Sequence, residues 1–448
     1  MPLRKMSLLD AASLRLEGRD MPMHVAGLMV FEYPSDLGAT QWTSFVTQLV
    51  ERWRRETRVF YPWNQVLTRP SRWQLSPATR TVYDLDLEYH LRQWALPEPG
   101  GEIELVQMIA WIHGLPMDLR KPLWECHFIE GLSDNRFALY VKLHHALVDG
   151  ISASRLLVDG LSVTGDEITQ PHWTRHRPEN DAAQDSLSMP ALGDVKAALG
   201  AALRLRRKDP ELTTFASTPA SVINGPIGAQ RRVATQHFEL ARLKAVATAA
   251  DATLNDVVMT LAGGALRDYL ISMNALPEQS LTAALPVSTR KAGDHRVGNQ
   301  VSMIFGALGT NVADPHERLA QVKASTHAAK SFLRSLPDNA TIPYSLMATG
   351  PFMSSVIMGQ AGRGRPVFNT VISNVPGQKE DRYLDGARLL HIYPVSLIMP
   401  GVPLNFTCCS HGDHLNFGVV ACRDRVTKVQ RIAAGLRRTL EALEEHPS

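Results

Sequence analysis

Long apolar runs are missing from this 448-residue chain. Nowhere do about 18 consecutive apolar residues occur, the length needed to cross a bilayer, so membrane contact is expected to be peripheral. Cysteine is scarce. The four that occur, Cys126, Cys408, Cys409 and Cys422, show no framework spacing, and adjacent Cys408 and Cys409 on a strand would point apart. That excludes a disulfide scaffold and favours a reduced, cytoplasmic setting. No signal-peptide pattern opens the chain. Neither Cys-x-x-Cys nor His-Glu-x-x-His is present, so the usual zinc motifs are absent and no metal is expected. A dominant charge sign is lacking too. A net charge of +3 gives no global field for nucleic acid, which is not expected as a partner, although local basic clusters can still meet phosphates.

What the chain does have is a hydrophobic share of 44%, enough to fill the cores of two domains of a globular protein. Its most informative stretch runs from Phe137 to Gly150. Phe137, Leu139, Val141 and Leu143 share one parity, the period-two pattern of a half-buried strand, and that strand runs into His144-His145-Ala-Leu-Val-Asp149-Gly150. The alternation sends the two imidazoles to opposite faces, so they cannot do the same job or ligate one metal together. An imidazole with an ordinary pKa near ~6.5 keeps a lone pair at neutral pH yet accepts a proton. His145, where a rigid strand ends, is therefore a candidate general base for a hydroxyl. Asp149 can fix the following loop through an ion pair, with Arg290, Arg58 and Arg69 as candidate partners, and Gly150 lets the backbone come close to a substrate.

The surrounding pattern supplies a scaffold. Trp42, Phe45, Val46, Leu49 and Trp53 recur at helical spacing against Glu51, Arg52 and Arg55, which predicts a core helix. A strand from Glu125 to near Glu130 returns through Leu132-Ser-Asp-Asn135 to the histidine strand as a hairpin. Trp124 then lies on the neighbouring strand, either walling a channel or packing as plain core. Residues 166–190 are polar and proline-bearing, as in a surface linker. Leu192, Val195, Leu199 and Leu203 follow among Lys196, Arg204, Arg206, Arg207 and Lys208. This predicts a basic amphipathic helix that bridges two domains or rests on anionic lipid. Thr253-x-x-Asp256 reads as a capping box and Asp314-Pro315 as a helix start. Leu404–Ser410 and His414–Cys422 read as a hairpin, and a last helix turns Val429, Ile432, Leu436 and Leu440 inward. Strands and helices alternate irregularly on both sides of the linker. The expected fold is therefore α/β, an α+β sandwich of two domains, 1–165 and 232–448, joined by a partly helical linker over 166–231.

The histidine motif is similar to the signature of the CoA-dependent acyltransferase superfamily. Further matches are Pro122-Leu123-Trp124, Asn255-Asp256-Val257-Val258, Pro286-Val287-Ser288-Thr289-Arg290 with Gly298-Asn299, and Ile372-Ser373-Asn374-Val375-Pro376-Gly377. In that order and spacing the chain resembles the bacterial wax ester synthase/diacylglycerol acyltransferase family over nearly its whole length. Glu17 ahead of Pro22-Met23-His24-Val25 matches as well, while Leu8 and Ser13 stand where a proline and an aromatic are usual. The resemblance implies two chloramphenicol-acetyltransferase-like domains with the catalytic histidine in a tunnel between them. It implies an acyl-CoA-dependent O-acyltransferase that moves a fatty acyl group to a long-chain alcohol or a diacylglycerol, forming wax ester or triacylglycerol. Acyl-CoA is then a substrate, no cofactor is needed, and the enzyme works at a membrane or lipid-droplet surface.

On that reading His145 is the base, His144 and Asp149 support its loop, and Asn255 and backbone amides near Gly150 contact the substrate or transition state. Glu17, Pro122, Leu123, Trp124, Ser373, Asn374 and Gly377 line the substrate channel. At the level of single residues, Glu17 reads equally as a solvated helix-end carboxylate and His24 as a satisfied core histidine. Two other functions stay open: a condensation-type acyltransferase with another acceptor, and a lipid-droplet or lipid-binding homologue without activity.

Overall fold

The computed structural model describes residues 3–6, 8–69, 77–147, 155–175, 212–213, 217–288, 301–336 and 341–445. The first half opens with β1 (Leu3–Lys5), α1 (Leu8–Leu16), β2 (His24–Glu32), α2 (Trp42–Arg55), β3 (Gln65–Leu67) and β4 (Ala78–Thr81). Next come α3 (Leu87–His90), β5 (Leu91–Ala95), α4 (Glu102–Gly114), β6 (Trp124–Leu132) and β7 (Arg136–His144). The second half begins with β8 (Arg231–Glu239), α5 (Leu240–Ala249), α6 (Leu254–Ser272), β9 (Thr282–Ser288), β10 (Val301–Ala307), α7 (Pro315–Ser335) and α8 (Thr341–Ile357). It closes with β11 (Thr370–Gln378), β12 (Tyr383–Leu384), β13 (Ala387–Val395), β14 (Leu404–His411), β15 (His414–Cys422) and α9 (Val429–Glu445). Two six-stranded sheets result, in the orders β12-β13-β2-β7-β6-β5 and β10-β9-β11-β14-β15-β8, with β1, β4 and β3 forming a small third.

The β6–β7 hairpin turns at Asp134 and Asn135, both in the left-handed region at φ 59° and 58°, which suits the twist of an antiparallel pair. In β7 the observed burial goes further than the predicted half-buried strand, because every residue from Phe137 to His144 is buried. Both faces are covered. Phe137, Leu139, Val141 and Leu143 pack with Val46, Leu49 and Trp53 of α2, each large apolar side chain contributing about 1.5–3 kcal/mol. Ala138 and Tyr140 pack against Leu105, Ile109 and Ile112 of α4 and against Val233 and Val420 of the second sheet. The predicted capping box is present, with Asp256 Oδ2 accepting from Thr253 N–H at 2.8 Å and Thr253 Oγ1 accepting from Asp256 N–H at 3.3 Å.

The expected division at residue 232 does not separate the two sheets. β12 and β13 come from the second half of the chain, yet β13 pairs antiparallel with β2 in the first sheet. The sheets also touch closely here. A Cβ on Gly418 of β15 would stand 1.7 Å from the Pro394 carbonyl oxygen of β13, so only glycine fits. The predicted basic helix over 192–208 and most of the linker lie outside the described residues.

Histidines are buried throughout this framework, and burial disfavours their charged form. His90, stacked on the Trp124 ring at 4.1 Å, is pushed down to about 4 by burial. His113 is pushed down to about 3 by burial, then by Arg231 and Lys142. His391, stacked at 4.0 Å on His237 in the seam between the sheets, falls to about 3 through burial and that neighbour. In the unfolded chain each ring returns to near ~6.5 and binds more protons than the fold does, so stability is complete above that pH and declines as pH falls toward the folded values. The unfolding free energy from urea titrations, and with it the midpoint, is expected to drop between pH 6.5 and 4 by up to about 1.4 kcal/mol per pH unit for each such ring. An unchanged midpoint across that window would show that the folded rings titrate freely.

Candidate active site

The end of β7 is fixed by its two neighbours. β2 runs antiparallel beside it with His24 opposite His144, and β6 flanks the other edge with Trp124 opposite Leu143. At the end of the ladder His144 N–H donates to the Leu123 carbonyl at 3.0 Å, and past it His145 N–H donates to the Met23 carbonyl at 2.8 Å. Ala146 N–H donates to His144 Nδ1 at 3.0 Å, and Leu147 N–H to the His144 carbonyl at 2.9 Å, so the chain turns sharply under the histidine pair.

These bonds determine the tautomer of His144. Its Nδ1 accepts, so the proton sits on Nε2, which points at Glu17 Oε2 3.3 Å away. Glu17 is 7% exposed and its Oε2 also accepts from Met23 N–H. It is therefore not a solvated helix-end carboxylate. One carboxylate oxygen ties together the His144 ring and the residue whose carbonyl holds His145. Beyond it, Arg231 Nη2 donates to the Asp20 carbonyl at 2.7 Å, pinning the Gly18–Met21 turn to the start of β8. His144 is fully enclosed, whereas His145 is half-buried. The adjacent histidines thus occupy different environments, as strand alternation requires.

On the His144 face of β7 lies a buried ionic pair. Lys142, with no exposure, sits opposite Glu125 on β6. Its Nζ donates to Glu125 Oε2 at 3.1 Å and to the Leu115 and Ile112 carbonyls at 2.9 and 3.2 Å. Burial raises the Glu125 carboxyl, but the His127 hydrogen bond and the Lys142 and Arg92 charges outweigh it and hold the group at about 2. His24 is a core histidine whose Nε2–H donates to the His113 carbonyl at 2.8 Å, in line with the structural reading. Its Nδ1 has no hydrogen-bond partner.

The other sequence candidates occupy varied environments. Trp124 is not on an open wall. It is 1% exposed, its Nε1–H donates to the Trp63 carbonyl at 2.8 Å, and Trp173 stacks on it at 5.2 Å, so its ring belongs to the α2 core. Pro122 and Leu123 are buried beside it, and Leu123 supplies the carbonyl that holds His144. Asn255 is half-buried in the first turn of α6. Its neighbour Asp256 is used up in the cap and in accepting from Thr326 Oγ1 at 2.6 Å. β11 pairs with β9 only at Thr370 and Val371, then continues beside β14, which leaves Ser373 half-buried and Asn374 exposed on a strand that has parted from its neighbour. Gly377 has a packing reason of its own, since a Cβ there would lie 1.5 Å from the Ser410 carbonyl oxygen. Asp149, Gly150 and Arg290 lie outside the described residues. Arg58 pairs with Glu56 at 3.2 Å.

Sequence reasoning missed Met23, Arg231 and the Glu125–Lys142 pair. Met23 acts through its backbone, for which no side-chain signal exists. Lys142 did carry one, as a lone cation within an apolar strand. Among the described residues no group of three or more His, Cys, Asp or Glu side chains is placed to hold a metal, and no helix is long and apolar enough to cross a membrane.

Two mixed sheets joined by an exchanged hairpin, with a histidine pair where the central strand of one of them ends, define a two-domain acyltransferase fold. The family model described as the wax ester synthase/diacylglycerol acyltransferase catalytic domain matches residues 6–258, and the WS/DGAT C-terminal domain matches 297–444. The chain belongs to the wax ester synthase/diacylglycerol acyltransferase family and is an O-acyltransferase. It is similar to the O-acyltransferase WSD of Acinetobacter baylyi, 34% identical over 99% of this chain and 97% of that one. A Mycobacterium tuberculosis protein with the provisional name diacylglycerol O-acyltransferase is 37% identical over 98% of this chain and 99% of its own. The solved wax ester synthase/diacylglycerol acyltransferase from Marinobacter aquaeolei VT8 superposes with a TM-score of 0.82 at 34% identity, covering 99% of both chains.

The Glu17 contact yields a prediction. Glu17→Gln retains an acceptor for Met23 N–H but weakens the bond to His144, a charge-assisted interaction worth about 1.5–3 kcal/mol. We expect kcat to fall about ten-fold, KM to change little and the fold to persist. An unaltered kcat would show that the pair does not position the histidine turn.

Proposed function

We propose that this protein transfers a fatty acyl group from acyl-CoA to the hydroxyl of a long-chain alcohol or a diacylglycerol, with His145 as the general base. The observation that carries this reading is the division between the two histidines. His144 is enclosed, with its ring nitrogens engaged by Glu17 and Ala146, whereas His145, whose backbone N–H donates to the Met23 carbonyl, is the half-buried one of the pair. As the hydroxyl oxygen attacks the thioester carbon, the His145 imidazole takes its proton. The carbon–sulfur bond then breaks, and the same proton passes to the departing thiolate. Positioned base catalysis supplies about 10²–10⁴-fold. Alignment of the two chains and stabilisation of the oxyanion supply the rest, and Asn255 is our candidate donor for the latter. Ser373 and Asn374, on the strand that parts from β9, are the channel-wall candidates. The acceptors are water-insoluble, so the enzyme works at a membrane or lipid-droplet surface.

The test is release of free CoA from palmitoyl-CoA in the presence of hexadecanol, repeated with a diacylglycerol in competition. Release that depends on either acceptor supports the reading, and the ratio of products ranks the acceptors. A flat trace with both overturns it and favours a lipid-binding role without turnover.

A further inference from the structure

The loop Gln360–Pro366, which follows α8, is held from below by glycines. Gly362 adopts φ +82°, and a Cβ there would lie 2.3 Å from the Gly225 carbonyl carbon. Gly401 N–H donates to the Gly225 carbonyl at 2.8 Å, and Asn224 Nδ2 donates to the Gly401 carbonyl at 2.8 Å. Gln360 and Ala361 N–H both donate to the Ser355 carbonyl, closing the end of α8. The loop is therefore preorganised, and it presents Arg363 and Arg365, both exposed, at the rim of a cavity of about 300 Å³. Phe352, Val367 and Val402 give that cavity apolar walls.

Its surroundings are unusual for a surface facing water. α8 ends at Ile357, which is 73% exposed, Met358 in the turn that follows is 66% exposed, and Val222 on the adjoining Ser221–Asn224 turn is 51% exposed. No aspartate or glutamate occurs anywhere from residue 341 to residue 379, while Arg363, Arg365 and Lys379 do. Arg365 Nε–H donates to the Thr218 carbonyl at 2.9 Å, which orients the guanidinium, and Glu278 borders the neighbouring cleft. Protruding apolar side chains beside arginines complement an anionic lipid layer, the apolar groups entering the acyl boundary and the guanidinium groups meeting phosphate. A free nucleotide phosphate would use the arginines but leave Ile357 and Met358 without a purpose.

We infer that the rim formed by Val222, Ile357, Met358, Arg363 and Arg365 is the surface on which the protein seats on an anionic lipid layer. This rests on the proposed acyl transfer to lipid acceptors and names the face that meets them. Behind the rim, Val356 and Met399 pack into the apolar cluster that holds Met21 and Met23, so an apolar seam leads from the surface toward the carbonyl that fixes His145.

The experiment is co-sedimentation of the full chain with phosphatidylcholine vesicles with and without phosphatidylglycerol, alongside CoA release with detergent-dispersed hexadecanol. Wild-type protein is expected to bind the phosphatidylglycerol vesicles and to be released by salt. Arg363→Ala should weaken that binding about five-fold. Combining it with Ile357→Ser and Met358→Ser should abolish binding while CoA release in detergent stays unchanged. Undiminished vesicle binding by the triple variant overturns the inference. So does a rise in KM for palmitoyl-CoA in Arg363→Ala with vesicle binding intact, which would give the arginine to the donor's phosphates. Absence of CoA release in the wild type sinks the proposed reaction instead, and the vesicle measurement still decides the docking face.

Discussion

Replacing His145 with alanine is expected to lower acceptor-dependent CoA release by about 10²–10⁴-fold while leaving the protein folded. Two features separate this outcome from simple unfolding. The bond that anchors the residue runs from its backbone N–H to the Met23 carbonyl, and alanine keeps it. The turn itself is held by His144 through Glu17 and Ala146, which the substitution does not touch. Circular dichroism and the urea midpoint should match those of the wild type, and the deficit should lie in kcat. Turnover near normal in this variant would remove His145 from the mechanism.

The second large effect concerns stability. Lys142→Met strips the enclosed cation from a carboxylate that is 4% exposed, leaving it the half-buried Arg92 at 3.4 Å, and removes a donor from the Leu115 carbonyl, while the Ile112 carbonyl keeps Leu115 N–H. Removing one member of a buried ion pair costs about 3–5 kcal/mol, because the other charge stays enclosed. The pair variant Lys142→Met with Glu125→Leu should recover much of that loss, since an apolar replacement of both partners has no charge to desolvate. Urea denaturation of the three proteins decides the matter. A single variant within 1 kcal/mol of wild type would show that Arg92 or water compensates the Glu125 charge without Lys142.

Much of the architecture could be read in the residues. The α2 stripe, the β6–β7 and β14–β15 hairpins, the Thr253–Asp256 box and the inward face of α9 all appear where periodicity and capping chemistry put them, because each is a local pattern. The errors come from long-range pairing. Nothing in the sequence of β13 says that its partner is β2, some 360 residues earlier, so the expected domain boundary could not register the exchange. Burial of β7 on both faces has the same origin, since its second cover is supplied in part by β8 and β15. In the site, Glu17, His144 and His145 were legible as residue types. Trp124 could not be resolved between wall and core until its ring was seen among Trp63, Trp173 and His90.

The exchanged hairpin has a consequence for how the chain is made. While a ribosome is synthesising the protein, β2 keeps an unpaired margin of N–H and C=O groups until residues 387–395 have emerged. The nascent first half is therefore exposed to self-association for most of translation, and neither half can be grafted elsewhere as an independent module. Any chimaera within this family must carry β12 and β13 together with the histidine-bearing sheet that they complete.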